Sequence, residues 1–321
     1  MFICPTCKNA MRLPRCSCGY TAEYKNNIRQ LTDAPDLVTD GDGDKYIGYE
    51  HIGLAYSGSR KYKIEDSDAV LAAEISRLTG DGVFLDLGCG DGCLTVPCAA
   101  NGTRVIAGDI SNAMLTILQD KAKYNRVSLE NVTLCRMNAL AIPLTDESVD
   151  TVVANSVLHL ISNPQKVLRE ICRVLKRGGA FICVDDVPGK VAETPYDNTQ
   201  YLEVVNAFYR EYWNRLGTHG IYPQKYSWKF DRNACCDSLF GKKTETLIER
   251  NCAYEISLGD VFLPRMIGRG FSDQTNVPRG LHEKVIAELL STFRQTYGND
   301  FTEIKFRGIE QNISVTVYHK I

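Results

Sequence analysis

Ten residues, 83–92, carry most of the chemistry legible in this chain: Val-Phe-Leu-Asp-Leu-Gly-Cys-Gly-Asp-Gly. An apolar run ends on Asp86, and glycines follow at 88, 90 and 92. Such a run suits a strand buried in a parallel sheet. Glycines at this spacing suit a turn that takes left-handed conformations or lets a nucleotide-like ligand approach the backbone with no Cβ in the way. A dinucleotide fingerprint places its third small residue three positions after the second glycine. Here Cys93 holds that position and the third glycine comes one residue early.

A second group of residues could hold a metal. Cys4-Pro-Thr-Cys7 is a C-x-x-C knuckle, and Cys16-Ser-Cys18-Gly follows after eight residues. Two close thiol pairs suggest a tetrahedral Zn2+ site made of Cys4, Cys7, Cys16 and Cys18. A segment of about 30 residues has too few apolar side chains to fold without a staple, which zinc would supply. A metal-free, disordered segment is the alternative. Four thiolates would leave no open position on the ion, so the site would be structural.

The elements that must position these groups follow from periodicity. Helical spacing over 65–79 ends before Gly80. From there strand candidates at 83–87, 104–108, 131–135, 149–154 and 179–185 alternate with helices at 92–100, 111–124 and 164–176. Alternation of this kind predicts an α/β fold, a doubly wound parallel sheet with helices on both faces. Residues 190–230 are dense in aromatics, and Leu202, Val205, Phe208, Tyr209, Tyr212 and Trp213 mark one amphipathic helix. It is expected either as a lid over the active site or as a helix packed for stability. Strands near 244–256 and 312–319 and a helix at 281–296 close the chain. The expected divisions are a zinc ribbon at 1–32, a linker and cofactor-covering segment at 33–64 and a core at 65–189. An aromatic helical lid at 190–243 and a completion of the sheet at 244–321 follow.

Taken in order, these features resemble the class I S-adenosylmethionine (SAM)-dependent methyltransferases of the type 11-like group. The run Asp86-Leu-Gly88-Cys89-Gly90-Asp-Gly is similar to their first motif. The second strand ends on Asp109-Ile110-Ser111. Cys135-Arg-Met-Asn138-Ala139 follows the third strand. Ile142-Pro143 through Asp150, Asn155 and His159 resembles the next family segment, and Leu175-Lys-Arg-Gly-Gly the last. The resemblance implies a Rossmann-like sheet that binds SAM through Asp86, Gly88, Cys89, Gly90, Asp109, Ile110, Met114, Asn138, Ala139 and Asn155. It implies ribose hydroxyls on Asp109 and the adenine amino group on the amide oxygen of Asn138, where the family commonly has an acidic residue. Tyr56 is expected to close over the methionine end of the cofactor. His159 is the candidate general base, with simple packing as its alternative. The cysteine module is similar to zinc ribbons fused ahead of methyltransferase domains, some of which modify ribosomal RNA guanine.

Bulk properties narrow the acceptor. The formal net charge is −2 over 321 residues, so no excess of basic residues is present to attract a phosphate backbone. A small-molecule acceptor is therefore expected. An RNA acceptor read by the ribbon is the alternative, because Lys8, Arg12, Arg15, Lys25 and Arg29 face only Glu23 within 1–32. A non-catalytic SAM-binding scaffold is the reading from another class. The thirteen cysteines, the absence of a signal-like N-terminus and the lack of a long apolar run point to a cytoplasmic protein without a membrane span.

Overall fold

The computed structural model describes residues 2–4, 6–32, 64, 66–186, 196–223, 230–241, 243–248, 253–274, 277–309 and 313–321. The segment expected to cover the cofactor, including Tyr56, lies outside them except for Ile64.

Among the described residues, nine strands form one sheet. β5 (Val83–Leu87), β6 (Arg104–Asp109) and β7 (Val132–Arg136) run outward in one direction, and β8 (Val149–Val153) and β9 (Leu175–Asp186) in the other, all parallel. β13 (Ile313–His319) is antiparallel to both β9 and β10 (Lys243–Ile248). The strand order reverses between β5 and β8, the place where open α/β sheets bind ligands.

The alternation within β5 explains its burial. Phe84 packs on one face among Leu71, Ile75, Leu94 and Leu115. Leu85 and Leu87 point to the other, among Leu140, Val152 and Leu168. Each such side chain contributes about 1.5–3 kcal/mol by leaving water. The first face is covered by α1 (Asp66–Thr79), α2 (Thr95–Ala100) and α3 (Asn112–Tyr124). The second is covered by α4 (Pro164–Val174) and by Cys236 and Phe240, in and just after α6 (Arg232–Leu239). The helix starts are encoded locally. Ser111 caps α3 by accepting from Met114 N, and Asn163 caps α4 by accepting from Lys166 N, with Pro164 in the first turn.

The cysteine module adds the two outermost strands on the β7 side of the sheet, β4 (Ile28–Gln30) and then β3 (Glu23–Lys25). β1 (Phe2–Ile3) and β2 (Ala10–Met11) form a small hairpin, and β3 pairs with β4. β4 then runs parallel to β7. The module expected as a zinc ribbon at 1–32 is thus joined to the main sheet, and Cys4, Met11, Cys16 and Leu31 share a core with Leu140, Ile142 and Leu144.

The C-terminal half is grouped differently from the expected lid and completion. α5 (Thr199–Gly217) packs with α7 (Leu263–Ile267) and α8 (Arg279–Tyr297) in a third core, next to the hairpin β11 (Ala253–Ser257) and β12 (Lys305–Ile309). Phe208 packs against Phe293 with the rings tilted and 4.8 Å apart, and meets Phe262 edge-on at 5.8 Å. Among the described residues of this half, β10 and β13 alone join the sheet. Periodicity shows which face of a helix is apolar but does not name the partner that covers it.

Candidate cofactor site and cysteine centre

A cavity opens at the carboxyl ends of β5, β6 and β8. It holds about 930 Å3 of atom-free space, part of it open to solvent. Gly88, Cys89, Gly90, Asp109, Ile110, Met114, Asn138, Ala139 and Asn155 all line it. These residues span 68 positions of sequence (155 minus 87), and the sheet brings them together.

The glycine turn needs its glycines. Gly88 has φ of +73°, and a Cβ there would lie 2.5 Å from Val157 Cγ2. Gly92, the early third glycine, has φ of +80°, and its Cβ would lie 2.5 Å from Leu118 Cγ, so it lets α3 pack under the turn. The N–H groups of Gly88 and Cys89 donate to the carbonyl of Gly108 at 2.7 and 3.1 Å. Gly90 N–H donates to Asp109 Oδ2 and Ser111 N–H to Asp109 Oδ1, both at 2.9 Å. One carboxylate thereby fixes the turn against the start of α3.

Other residues sit differently from expectation. Asp86 does not line the cavity. It is buried under the turn, where Oδ2 accepts from the Thr95 hydroxyl at 2.6 Å. Burial pushes its pKa up to about 7, and the Asp109 and Asp91 charges add to that, against the Thr95 hydrogen bond. An acid at a strand end reads alike in sequence whether it points up to a ligand or down to a helix. The amide oxygen of Asn138 already accepts from Leu140 N–H at 2.9 Å, an Asx turn that orients the side chain beside the cavity. His159 lies in a single helical turn, Leu158–Leu160, whose neighbours Val157 and Leu160 line the cavity while His159 does not. Burial lowers its pKa, so the imidazole is neutral at pH 7. Asp150 has a structural role: it accepts from Val83 N–H and pairs with Lys176, both at 2.8 Å. Among the described residues, none of the aromatic helix α5 lines the cavity, because its apolar face is spent on α7 and α8.

Several lining residues are not among the expected cofactor contacts: Asp91, Cys93, Met137, Ser156, Val157, Leu160 and Ile161. The position of 156–161 just past the fourth strand was the available signal. Asp91 faces the ammonium of Lys121 at 4.0 Å, and both are almost wholly buried. Burial and nearby carboxylates hold the Cys89 thiol protonated, which argues against a thiolate nucleophile there. The lining offers backbone groups, the carboxylates of Asp91 and Asp109 and the amides of Asn138 and Asn155, flanked by Met114, Met137 and Ile110. It suits binding and aligning a nucleoside more than acid–base work.

In the cysteine module the four sulfurs lie within 4.8 Å of one another, with Cys4–Cys18 and Cys7–Cys16 each at 3.5 Å. Tetrahedral Zn–S bonds near 2.3 Å require S–S separations of ~3.8 Å, so the arrangement fits the ion. Lys8 and Gly19, each just after the second thiol of its pair, both have positive φ. The C-x-C pair therefore turns as the C-x-x-C pair does.

Residues 85–183 match the methyltransferase domain family. An uncharacterized chloroplastic methyltransferase of Arabidopsis thaliana is 31% identical over 121 residues, 36% of this chain and 34% of that protein. A ubiquinone/menaquinone biosynthesis C-methyltransferase of Vibrio campbellii is 34% identical over 104 residues, 32% of this chain and 40% of its own length. The chain thus spans well under half the length of these two relatives. Among solved structures, the YcgJ protein of Bacillus subtilis superposes with a TM-score of 0.44 at 20% identity, covering 80% of this chain and 100% of that one. No helix among the described residues is long and apolar enough to cross a membrane.

Proposed function

We propose that this protein is a SAM-dependent methyltransferase acting on a small-molecule acceptor, with a structural zinc ion on Cys4, Cys7, Cys16 and Cys18. The observation that carries the reading is the convergence of the glycine turn, Asp109 and Asn138 on one cavity at the sheet's switch point. When bound, SAM supplies a methyl group on a sulfonium, an excellent leaving group. The chain then has mainly to hold and align. Asp109 accepts hydroxyl donors, Asn138 and Ala139 meet the base, Met114 and Ile110 flank it, and the 88–92 turn and Asn155 position the methionine end. Ground-state alignment and exclusion of water are the principal contributions. His159 is the candidate base if the acceptor carries a proton; its neutral imidazole suits that role. The Vibrio relative's quinone-biosynthesis name and the net charge of −2 favour a small acceptor over RNA.

Methyl-labelled SAM, the zinc-loaded chain and two substrate pools test this. Label entering a small-metabolite extract is expected. Label entering total RNA alone would favour the RNA reading, supported by the exposed Lys8, Arg12, Arg15 and Lys25. SAM binding without transfer to either pool would favour the scaffold. Replacing His159 with Gln separates base from packing: a fall in kcat that depends on pH marks a base, and an unchanged kcat marks packing.

A further inference from the structure

The cysteine module is built onto the cofactor site. β4 extends the sheet beside β7 with Gln30 opposite Arg136. Ile3 N–H donates to the carbonyl of Pro143 at 2.9 Å, so the module is tied on a second side of that edge. One residue then touches both parts. The carbonyl of Arg136 accepts from Leu31 N–H at 3.0 Å. Its guanidinium donates through Nη1 to the carbonyl of Thr32 at 3.3 Å and through Nε to the carbonyl of Ile110 at 2.9 Å. Ile110 lines the cavity. The next residue, Met137, also lines it and donates its N–H to the carbonyl of Asp109 at 2.8 Å.

A second tie lies one residue past the helix cap. The side-chain amides of Gln30 and Asn112 bond each other reciprocally, at 2.9 and 3.3 Å. The stretch Asp109 to Asn112 is therefore held from the cavity side by the glycine turn and from outside by residues 30–32 and Arg136. Residues 30–32 are in turn held by a module whose interior is two buried thiols, Cys4 and Cys16, and a few apolar side chains. Such a unit orders only when stapled.

We propose that Arg136 is a positioning residue that couples the two centres, so that metal on the four cysteines and cofactor in the cavity strengthen each other's binding. This rests on the reading of the cavity as the SAM site. Loss of the metal loosens residues 30–32. The Ile110 carbonyl braced by Arg136 and the Asn112 side-chain amide braced by Gln30 lose that support, and the cofactor must then order Asp109 to Asn112 as it binds. Linkage makes the effect reciprocal.

The test begins by titrating zinc-loaded protein with SAM and with S-adenosylhomocysteine. It then measures zinc transfer to a competing chelator, with and without saturating S-adenosylhomocysteine. Bound nucleoside is expected to lower the apparent zinc dissociation constant on the order of tenfold. Arg136→Met is expected to shrink that factor to less than about twofold while leaving both ligands able to bind. Arg136→Lys, which keeps a donor for one carbonyl, should recover part of it. A merely structural Arg136 would weaken both ligands and leave the coupling factor intact. Zinc affinity indifferent to a nucleoside that demonstrably binds, or a coupling factor unchanged in Arg136→Met, overturns the proposal. Absence of any nucleoside binding in the first titration overturns the SAM reading and the coupling with it, and is seen before the chelator is added.

Discussion

Asp109 organises this site by accepting from two backbone N–H groups, Gly90 on the turn and Ser111 at the cap of α3. Charge-assisted hydrogen bonds contribute about 1.5–3 kcal/mol each. Asp109→Ala should therefore weaken SAM binding by roughly 100-fold or more, measured by titration calorimetry. Gly88→Ala forces a methyl against Val157 Cγ2 at 2.5 Å with φ at +73°, and SAM affinity should fall while the far end of the sheet keeps its hydrogen-exchange protection. Asp86 makes a pH-dependent contribution. Its carboxyl is raised from 3.8 to about 7 in the fold, so the folded chain binds more protons than the unfolded chain between those values. Stability from this group is present below pH 4 and is lost as pH rises to about 7. Asp86→Asn keeps an acceptor for Thr95, and it should raise the melting temperature at pH 8 relative to the parent and change it little at pH 4. At this scale the sequence showed Asp109 and the glycines, because few residue types can do what they do. It misplaced Asp86 because the direction of a side chain depends on packing and leaves no mark on spacing.

Among the elements, those with a local code were legible. The strand–helix alternation, the caps at Ser111 and Asn163 and the positive φ of Gly178 after α4 all follow from short-range rules. The β3–β4 hairpin was not legible as part of the sheet. Its strands have three residues each, too few to show a period, and its parallel partner lies about 100 residues away. The partner of α5 was hidden for a similar reason. That helix is locked to α8 by Tyr212, whose hydroxyl donates to His282 Nδ1 at 2.7 Å while Nε2 donates to the carbonyl of Ile267 at 2.9 Å. His282 is neutral in this arrangement, and burial lowers its pKa from 6.5. The unfolded chain takes up its proton first as pH falls, so this contribution is complete above pH 6.5 and declines below it. Tyr212→Phe should cost about 1–2 kcal/mol, read as a shift in urea midpoint at pH 7.5, with a smaller difference from the parent at pH 5.

At the scale of the whole molecule, module and domain share one sheet and one core. Chelation of the zinc should therefore lower the melting temperature of the main transition, whereas an independent ribbon would leave it in place. Metal analysis should find one zinc per chain, and substitution of Cys7 by Ser should reduce it. The methyl-donor half of the reaction is the claim on which the rest depends. It is tested most directly by titrating the folded, zinc-loaded chain with SAM, beside a Gly90→Arg variant whose new side chain would occupy the turn. One-to-one binding by the parent, lost in the variant, is the expected result. A folded parent that does not bind SAM, or a variant that binds it as the parent does, would contradict it.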